Sequence, residues 1–567
     1  MTGESGAAPG WQQLLAYRRE WLPHDLAAGV AVAAVALPTA IAYAGIIGLP
    51  PVSGLYAAIL PLLVYAAFGT SRHLIVNPDA ATCALVASTL APLAASDPES
   101  LQSLSLILAL ATGAICIVAG FFRLGFLADF LSRPILVGFL NGVAIHILLG
   151  QIGRIFGFGM ESHGIVASLI ELVEKLPETH LPTLLVGLLT LGVLLASHRL
   201  LPRLPAPLVA IVVSVVVVKA WGLGARGVAV VGTVPAGLPS LHWPALDPGA
   251  LRPLLHGALG VALLSFSNAM VVARSFAAKG RYPVDADREF FAIGACQIAA
   301  ALSQGFAVSG TESRTAMNHA MGGRSQAAGV VAAVLMAAVL LFLTGPLAYL
   351  PQAALGAILV QAAVGLFDVR GMRHLWRVSW TEFAVAAVTM LGVVAVGVLD
   401  GILLAVLLSI FFLLGRASRP PDAVLGRVAG QKGWHNVSLH EGAETQPGLV
   451  LYRFGSGIVF FNAPHFKKRA LELASALEGT RWLVLDGGPV NTIDTTGASV
   501  VDELAGELRQ RGIRLGFANL RTEVRAVLER AGVRGGLGED AFFATLNSAR
   551  RAFELESGSR SPASEEP

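Results

Sequence analysis

A polar stretch, QGFAVSGTESRTAMNHAMGGR at Gln304–Arg324, separates two apolar segments. Its start contains Gly and Ser and leads into a helix, for which Thr311, Glu312 and Ser313 are candidate caps. A helix that begins at membrane depth presents free N–H groups and the positive end of its dipole. Arg314 would add a permanent positive charge and a planar guanidinium group with five N–H donors. The stretch therefore predicts an anion site, and a cytosolic loop between two helices is the alternative that it leaves open.

The composition defines the broad class of protein. The chain has 567 residues, of which 54% are hydrophobic and 14% charged, with a mean hydropathy of +0.67. Soluble proteins carry roughly 25% charged residues, so a polytopic protein of the lipid bilayer is predicted. The formal net charge of +3 gives no argument for a nucleic-acid partner. The cysteines lack metal-ligand spacing, so no metal site is predicted; they are Cys83, Cys116 and Cys296.

The apolar segments supply about fourteen candidate spans, since a spanning helix needs roughly 20 mainly apolar residues. The first candidate, 25–49, is predicted to break at Pro38. The third and the tenth are unusual, because each is a short helix that follows an extended piece. Interrupted helices at matching positions point to a transporter of inverted repeats, with half-helices that meet near the membrane midplane. Two independent Pro or Gly breaks would be the simpler explanation.

A change of composition predicts the domain organisation. The predicted parts are a cytoplasmic N-terminal segment 1–24, a transmembrane domain 25–416, a linker 417–448, an α/β domain 449–555 and a disordered tail 556–567. In the α/β part, LVLYRF, GIVFF and WLVLD are predicted strands. Arginines flank the first and last spans, which predicts that both termini are cytoplasmic. These arginines are Arg18, Arg19, Arg416 and Arg419.

Three separated stretches resemble one family, and they occur in the same order as in that family. ALPTAIAYAGIIGLPPVSGLYAAILPLLVYAAFGTSRHLIVNPDAAT resembles the start of the SulP anion transporters, also called solute carrier family twenty-six. ARSFAAKGRYPVDADREFFAIGACQIAAALSQGFAVSGTESRTAMN resembles their second signature region. LVLDGGPVNTIDTTGASVVDELAGELRQRGI resembles their C-terminal STAS domain. The resemblance runs from about Trp11 to Glu554.

The resemblance implies a fold and a class of function. It implies a polytopic α-helical membrane protein with seven-plus-seven inverted repeats, arranged as core and gate domains, followed by an α/β STAS domain on the cytosolic side. It also implies a homodimer in the inner (plasma) membrane and secondary transport of small anions. Sulfate is the first expected substrate, with bicarbonate and C4-dicarboxylates as alternatives. A passive anion channel and a membrane-anchored STAS scaffold are further alternatives.

The resemblance further implies that substrate binds between the N-termini of the third and tenth spans. Near the first-span proline, Thr39 and Tyr43 are expected to line the site or to pack inside the protein. Asn268 in the eighth span is a further expected lining residue. On this chain the two helix starts correspond to Asp79, Ala80, Ala81 and Thr82 on one side, and to Gly310, Thr311, Glu312, Ser313 and Arg314 on the other.

Two carboxylates, Asp79 and Glu312, are the candidate coupling residues. Many relatives have an apolar residue at the position of Asp79, so a proton that binds there could be coupled to anion binding. Simple capping of a helix start is the alternative for both residues, and pairing with Arg314 is a second alternative for Glu312. Many relatives carry an acid implicated in cation coupling where this chain has Asn268, so sodium coupling by that route is not expected.

The STAS-like part contains one informative phrase, IDTTG. Related anti-sigma-factor antagonists carry a phosphorylatable Ser in the comparable loop, so Thr495 and Thr496 are candidate phosphorylation sites. Helix capping by Asp494 or Thr495, with Gly497 in the first turn, is the alternative. A cytosolic protein partner of this domain is also considered. Because no catalytic spacing or nucleotide-binding loop stands out, neither an enzyme activity nor a cofactor is predicted.

Overall fold

The computed structural model describes residues 9–94, 100–125, 133–160, 165–200, 205–243, 248–476, 479–533 and 539–558. The chain separates into two compact units, Met1–Ser409 and Ile410–Pro567. Most of the predicted disordered tail, 556–567, lies outside the described residues.

The first unit is helical. Its described helices are α1 (Gly10–Leu15), α2 (Leu22–Ile47), α3 (Pro51–Phe68), α4 (Ala80–Ala94), α5 (Leu101–Phe121), α6 (Arg133–Phe156), α7 (Ile165–Lys175), α8 (Leu181–Leu200), α9 (Ala206–Ala220), α10 (Pro248–Gly280), α11 (Ala286–Leu302), α12 (Glu312–Ala320), α13 (Ala327–Phe342), α14 (Thr344–Leu347), α15 (Gln352–Leu366), α16 (Val369–Val378), α17 (Trp380–Val396) and α18 (Val398–Ser418), the last of which continues into the second unit. Short 3-10 turns lie at Arg19–Trp21, Leu176–Glu178 and Leu223–Arg226.

The described helices fit a polytopic membrane domain. Six are long and apolar enough to cross a membrane, and the bent α7–α8 pair could supply a seventh span. Four further helices, α4, α9, α13 and α17, are apolar but shorter. The predicted total of about fourteen spans, each of roughly 20 residues, stays a prediction.

Two very short strands organise the centre of this unit. Strands β1 (Val76–Asn77) and β2 (Ser309–Gly310) pair antiparallel, with Val76 opposite Gly310 and Asn77 opposite Ser309. Helix α4 begins three residues after β1, and α12 begins two residues after β2. The pair therefore brings together the starts of the two short helices that the sequence predicted as the third and tenth spans.

Helix α2 runs through Pro38 without a break, so the predicted interruption is wrong. A proline inside a helix removes one backbone donor and loosens the turn before it. The neighbouring Thr39 Oγ1 donates to the carbonyls of Val35 (2.8 Å) and Ala36 (3.1 Å). Thr hydroxyls that bind backbone carbonyls of the preceding turn are one of the ways in which membrane helices accommodate proline.

The second unit holds a mixed sheet. Its strands are β3 (Asp422–Val428), β4 (His435–Asn436), β5 (Ala443–Glu444), β6 (Leu449–Phe454), β7 (Trp482–Asp486), β8 (Arg514–Ala518) and β9 (Phe542–Phe543), and its helices are α19 (Ala463–Ala476), α20 (Thr495–Gln510), α21 (Thr522–Arg530) and α22 (Leu546–Ser557), with a 3-10 turn at Glu539–Ala541. The strand order is β4-β3-β6-β7-β8-β9, with β5 also paired to β3. Strands β6 to β9 run parallel, and β3 pairs with β6 antiparallel.

Two predictions for this unit are wrong. The predicted linker 417–448 contains β3, β4 and β5, because β3 pairs with β6 and extends the sheet, while β4 and β5 pair with β3. The predicted strand GIVFF forms only an isolated bridge between Ile458 and Ile493. Ile458 is buried in the same core cluster as the apolar residues of α20. The apolar character of this segment therefore reflects core packing and not membership of a β-sheet.

Candidate functional site

The two helix starts are tied together by hydrogen bonds between the halves of the chain. Thr311 donates both its backbone N–H and its hydroxyl to the carbonyl of Ile75, each at 2.9 Å. Its side chain therefore does not cap α12, although Thr311 occupies the N-cap position. Helix α4 begins at Ala80, two residues after Pro78.

Arg314 is the most unusual residue of the site. Its side chain is only 2% exposed, and its guanidinium group reaches from α12 to two other elements. Nη1 donates to the carbonyl of Pro78 at 2.7 Å, and Nη2 donates to Thr39 Oγ1 in α2. The guanidinium carbon lies 5.8 Å from the ring centroid of Tyr43, where a cation–π interaction contributes. A fixed positive charge is thus held beside the start of α4.

The predicted carboxylates lie near this charge but form no ion pair with it. Asp79 Oδ2 accepts from the N–H of Thr82 (3.5 Å) and from Asn268 Nδ2 (3.4 Å), and both distances are at the long end for hydrogen bonds. Glu312 is exposed in the first turn of α12. Among the described residues, no ion pair joins Arg314 to Asp79 or Glu312, so the predicted alternative of a Glu312–Arg314 pair is not formed.

The remaining predicted residues surround the same two helix starts. Ala80, Ala81 and Thr82 are buried in the first turn of α4, and Ser313 is exposed next to Arg314. A Cβ at Gly310 would lie 2.6 Å from Ala269 Cα, so only glycine allows β2 to lie this close to α10.

Two buried polar atoms at the helix starts have no protein partner. Within the described part of the chain, Thr82 Oγ1 and Arg314 Nε make no hydrogen bond. Buried polar side-chain atoms are normally paired, and an unpaired one calls for an explanation such as a ligand. The two atoms belong to opposite half-helices, so both could contact a ligand that binds between them.

A set of polar residues that the sequence analysis did not single out holds the non-helical backbone in place. Gln297 in α11 holds the residue before β2. Its Nε2 donates to the carbonyl of Val308 (2.7 Å), and its Oε1 accepts the N–H of Val308 (2.9 Å). The backbone of 71–75 is held by three further side chains. The hydroxyl of Thr315 accepts the N–H of Ile75, and the amide groups of Asn318 and Gln326 donate to backbone carbonyls of this stretch. Buried polar residues within apolar helices are the sequence signal that could have identified them.

Glu289 is the most densely bonded member of this supporting set. Its side chain is fully buried and accepts from Tyr65 Oη (2.8 Å), from the N–H (2.7 Å) and hydroxyl (2.6 Å) of Thr70, and from the N–H of Ser71 (3.3 Å). All four partners are donors, as a carboxylate requires. Glu289 therefore fixes the loop that leads from α3 towards β1.

Replacement of Glu289 by Gln is expected to destabilise the membrane unit. The amide group has one acceptor atom instead of two, so at least one buried donor loses its partner, at a cost of about 1–3 kcal/mol. Thermal unfolding of the purified protein in detergent should show a lower Tm for E289Q. The matched control is E178Q, which changes an exposed glutamate in the 3-10 turn Leu176–Glu178. Equal unfolding temperatures for the two variants would contradict the role given to Glu289.

The IDTTG loop of the second unit has the geometry of a helix start. Asp494 is the N-cap of α20, and its carboxylate accepts the N–H of Gly497 at 2.7 Å and the N–H of Phe460 at 2.8 Å. Thr495 and Thr496 are exposed. Capping by Asp494 is therefore confirmed, and both hydroxyls are sterically accessible.

The cysteines and other metal-binding side chains give no sign of a metal centre in the described residues. No group of three or more His, Cys, Asp or Glu side chains there is arranged to hold a metal ion. Cys83, Cys116 and Cys296 are free thiols and buried.

Two broken helices that meet start to start inside a helical membrane domain define a class of membrane transporters. The profile of the sulfate permease family matches residues 22–389, and that of the STAS domain matches residues 442–549. The chain belongs to the sulfate permease family. The predicted resemblance and fold class are thereby confirmed.

Similar proteins extend over nearly the whole chain. A probable sulfate transporter of Mycobacterium tuberculosis is 40% identical over 550 residues, which cover 97% of this chain and 98% of that protein. The chloroplastic sulfate transporter 4.1 of Arabidopsis thaliana is 30% identical over 563 residues, which cover 95% of this chain and 82% of that protein. Murine solute carrier 26 family member A9, an anion transporter solved in the inward-facing state, superposes with a TM-score of 0.89 at 22% identity, over 97% of this chain and 94% of that one. At 22% identity, the comparison with the murine protein shows that the two chains share a fold.

Proposed function

We propose that the protein is a secondary active transporter of sulfate, which binds between the N-termini of α4 and α12. The observation that carries the proposal is the buried guanidinium group of Arg314, which is held by Pro78 and Thr39 and has no carboxylate partner among the described residues. A buried charge is costly unless it is paired. Asp79 is near enough to interact electrostatically with Arg314 but forms no ion pair with it, so an anion at the helix starts would supply the guanidinium group with a direct partner.

The chemistry of the site suits an oxyanion that only accepts hydrogen bonds. Arg314 Nε and Thr82 Oγ1 are donors without protein partners in the described structure. The first turns of α4 and α12 add backbone N–H groups and two positive dipole ends. Ser313 adds an exposed hydroxyl beside Arg314. A divalent tetrahedral anion can accept from several directions at once. The similarity to the sulfate transporters of Mycobacterium and Arabidopsis also favours sulfate.

Coupling to protons is part of the proposal. Asp79 is only weakly bonded, at 3.4 and 3.5 Å, and it lies beside the start of α4. A negative charge there opposes a second anion, so protonation of Asp79 would favour sulfate binding. Glu312 is the second candidate. Asn268 contacts Asp79 but carries no charge, which argues against sodium coupling through this position.

The remaining proposals concern the arrangement in the membrane. Following the prediction, residues 25–416 would form the transporter domain. The STAS domain would begin at β3 instead of residue 449 and would run to residue 555, because β3 pairs with β6 of its sheet. The arginines at both ends of the membrane part favour cytoplasmic termini in an inner membrane. A homodimer, and a cytosolic protein that binds the STAS domain, complete the proposal.

Uptake by proteoliposomes tests the proposal. The purified full-length protein would be given radiolabelled sulfate, bicarbonate and a C4-dicarboxylate, with proton and sodium gradients imposed separately. We expect saturable sulfate uptake that is trans-stimulated by internal sulfate and driven by an inward proton gradient. Uptake without saturation or trans-stimulation would identify a channel, and preference for another anion of the panel would refute sulfate as the substrate. Absence of any anion flux would refute transport itself.

A further inference from the structure

A second cluster of positive charge lies away from the transport site, on the short helix α16. Four basic side chains occupy positions i, i+3, i+4 and i+7 and therefore share one face of the helix. They are Arg370, Arg373, His374 and Arg377. Together with Arg133, at the start of α6, they line a concave cavity of about 420 Å³. This volume falls within the range of roughly 300–1,000 Å³ that is typical of small-molecule sites.

The arginines of this cluster outnumber the negative charges that line the cavity. Within the described residues, none of the four guanidinium groups forms an ion pair or a hydrogen bond. Asp368 also lines the cavity, but its carboxylate accepts the N–H of Gly371 at 2.7 Å as the cap of α16. Like charges at these spacings repel each other and destabilise a helix. An external anion would remove that repulsion.

The surroundings of the cluster are those of a membrane surface. Helix α16 joins α15 to α17, both of which are apolar. Its opposite face packs through Leu375 and Met372 against α6 and α17. Trp376 and Trp380 stand edge to face with centroids 4.4 Å apart, and both are more than half exposed. Tryptophan is enriched at the boundary between lipid and water.

We propose that this cavity binds the anionic headgroup of a glycerophospholipid, such as phosphatidylglycerol, from the leaflet in which α16 lies. The planar guanidinium group of arginine can donate two hydrogen bonds to the oxygens of one phosphate group, and its positive charge complements the negative charge of the phosphate. Basic pockets between membrane helices bind such headgroups. The exposed indole rings beside the cavity would contact the glycerol and the upper acyl chain, which a free phosphate ion lacks.

Native mass spectrometry of the full-length protein tests the site, with phosphatidylglycerol and phosphatidylcholine of identical acyl chains as probes. We expect phosphatidylglycerol to bind the wild-type protein about tenfold or more tightly than phosphatidylcholine. The double variant R373Q/R377Q should bind phosphatidylglycerol about thirtyfold more weakly, given what each basic residue contributes near an anionic lipid. R373K/R377K should retain most of the binding, because the charge remains.

The control is R226Q/R252Q, which removes the same charge from two exposed arginines outside the cavity and should leave phosphatidylglycerol binding unchanged. If R373Q/R377Q does not fold, R133Q tests the same cavity from another helix and should also weaken phosphatidylglycerol binding. Equal affinity for the two lipids, or wild-type binding by R373Q/R377Q or by a folded R133Q, would overturn the proposal. So would displacement of the lipid by millimolar inorganic phosphate or glycerol phosphate, since that result would indicate a site for free anions.

Discussion

Replacement of Arg314 by Gln is expected to abolish concentrative sulfate uptake by proteoliposomes. Arg314 supplies the buried positive charge at the proposed site and the hydrogen bonds that hold Pro78 and Thr39. A hydrogen bond to a charged group contributes roughly 1.5–3 kcal/mol, so the loss of one such bond from Arg314 to sulfate would lower the affinity for sulfate by about 10- to 100-fold. Initial rates of labelled sulfate uptake, measured over a range of sulfate concentrations, give the change in apparent affinity for sulfate.

The lysine variant separates charge from geometry. R314K keeps the charge but replaces a planar fork by a compact ammonium group. It cannot both bridge Pro78 and Thr39 in the same way and present a further N–H to the anion, so we expect only partial recovery. R226Q, which removes an exposed arginine, serves as the control for a change in net charge. Wild-type uptake by R314Q, in protein that elutes as a single species, would refute the anion-binding role of Arg314.

Replacement of Asp79 by Asn is expected to leave sulfate uptake intact but to remove its response to a proton gradient. In the wild-type protein, a rise in pH deprotonates Asp79 and places a negative charge beside the bound anion, so uptake should fall as the pH rises. Asn resembles the protonated acid permanently, so the pH profile of D79N should be flat. Asn is also a good N-cap, so the start of α4 should be preserved.

The size of the effect follows from the driving force. For one coupled proton, a gradient of one pH unit is worth about 1.36 kcal/mol and supports up to about tenfold greater accumulation of sulfate. We expect this factor to disappear in D79N. E312Q, measured in parallel, distinguishes the two carboxylates and should retain the response if Asp79 is the coupling group. A D79N protein that keeps the wild-type dependence on the imposed gradient would exclude Asp79 from coupling.

Much of the site could be predicted because its local signals are strong. Pro78 and the Gly- and Ser-containing stretch before Thr311 interrupt otherwise apolar helices, and helix starts carry recognisable residues. The pairing of β1 with β2 could not be predicted, since two-residue strands have no periodicity. The partners of Arg314 were equally hidden, because Thr39 and Pro78 lie more than 230 positions away in the chain.

The errors also have physical causes. Polar, Gly-rich composition predicted a linker at 417–448, but β3 lies in this stretch and pairs with β4, β5 and β6. Its tertiary pairing therefore overrides the loop-like composition around it. Pro38 was predicted to break α2, but the helix continues through it, and the Thr39 hydroxyl binds the carbonyls of Val35 and Ala36 in the preceding turn. Helix α16 escaped notice because its basic face lowers the hydropathy of a segment between two apolar spans.

The most direct test of the central claim uses a cysteine at the proposed site. The three native cysteines are buried, so S313C, at an exposed position beside Arg314, should provide a selectively reactive thiol. The control is S499C, at an exposed position in the STAS unit. If sulfate binds between the starts of α4 and α12, saturating sulfate will slow modification of S313C by a charged thiosulfonate reagent and leave S499C unaffected. Modification of S313C at the same rate with and without sulfate, in protein that transports sulfate, would contradict the account.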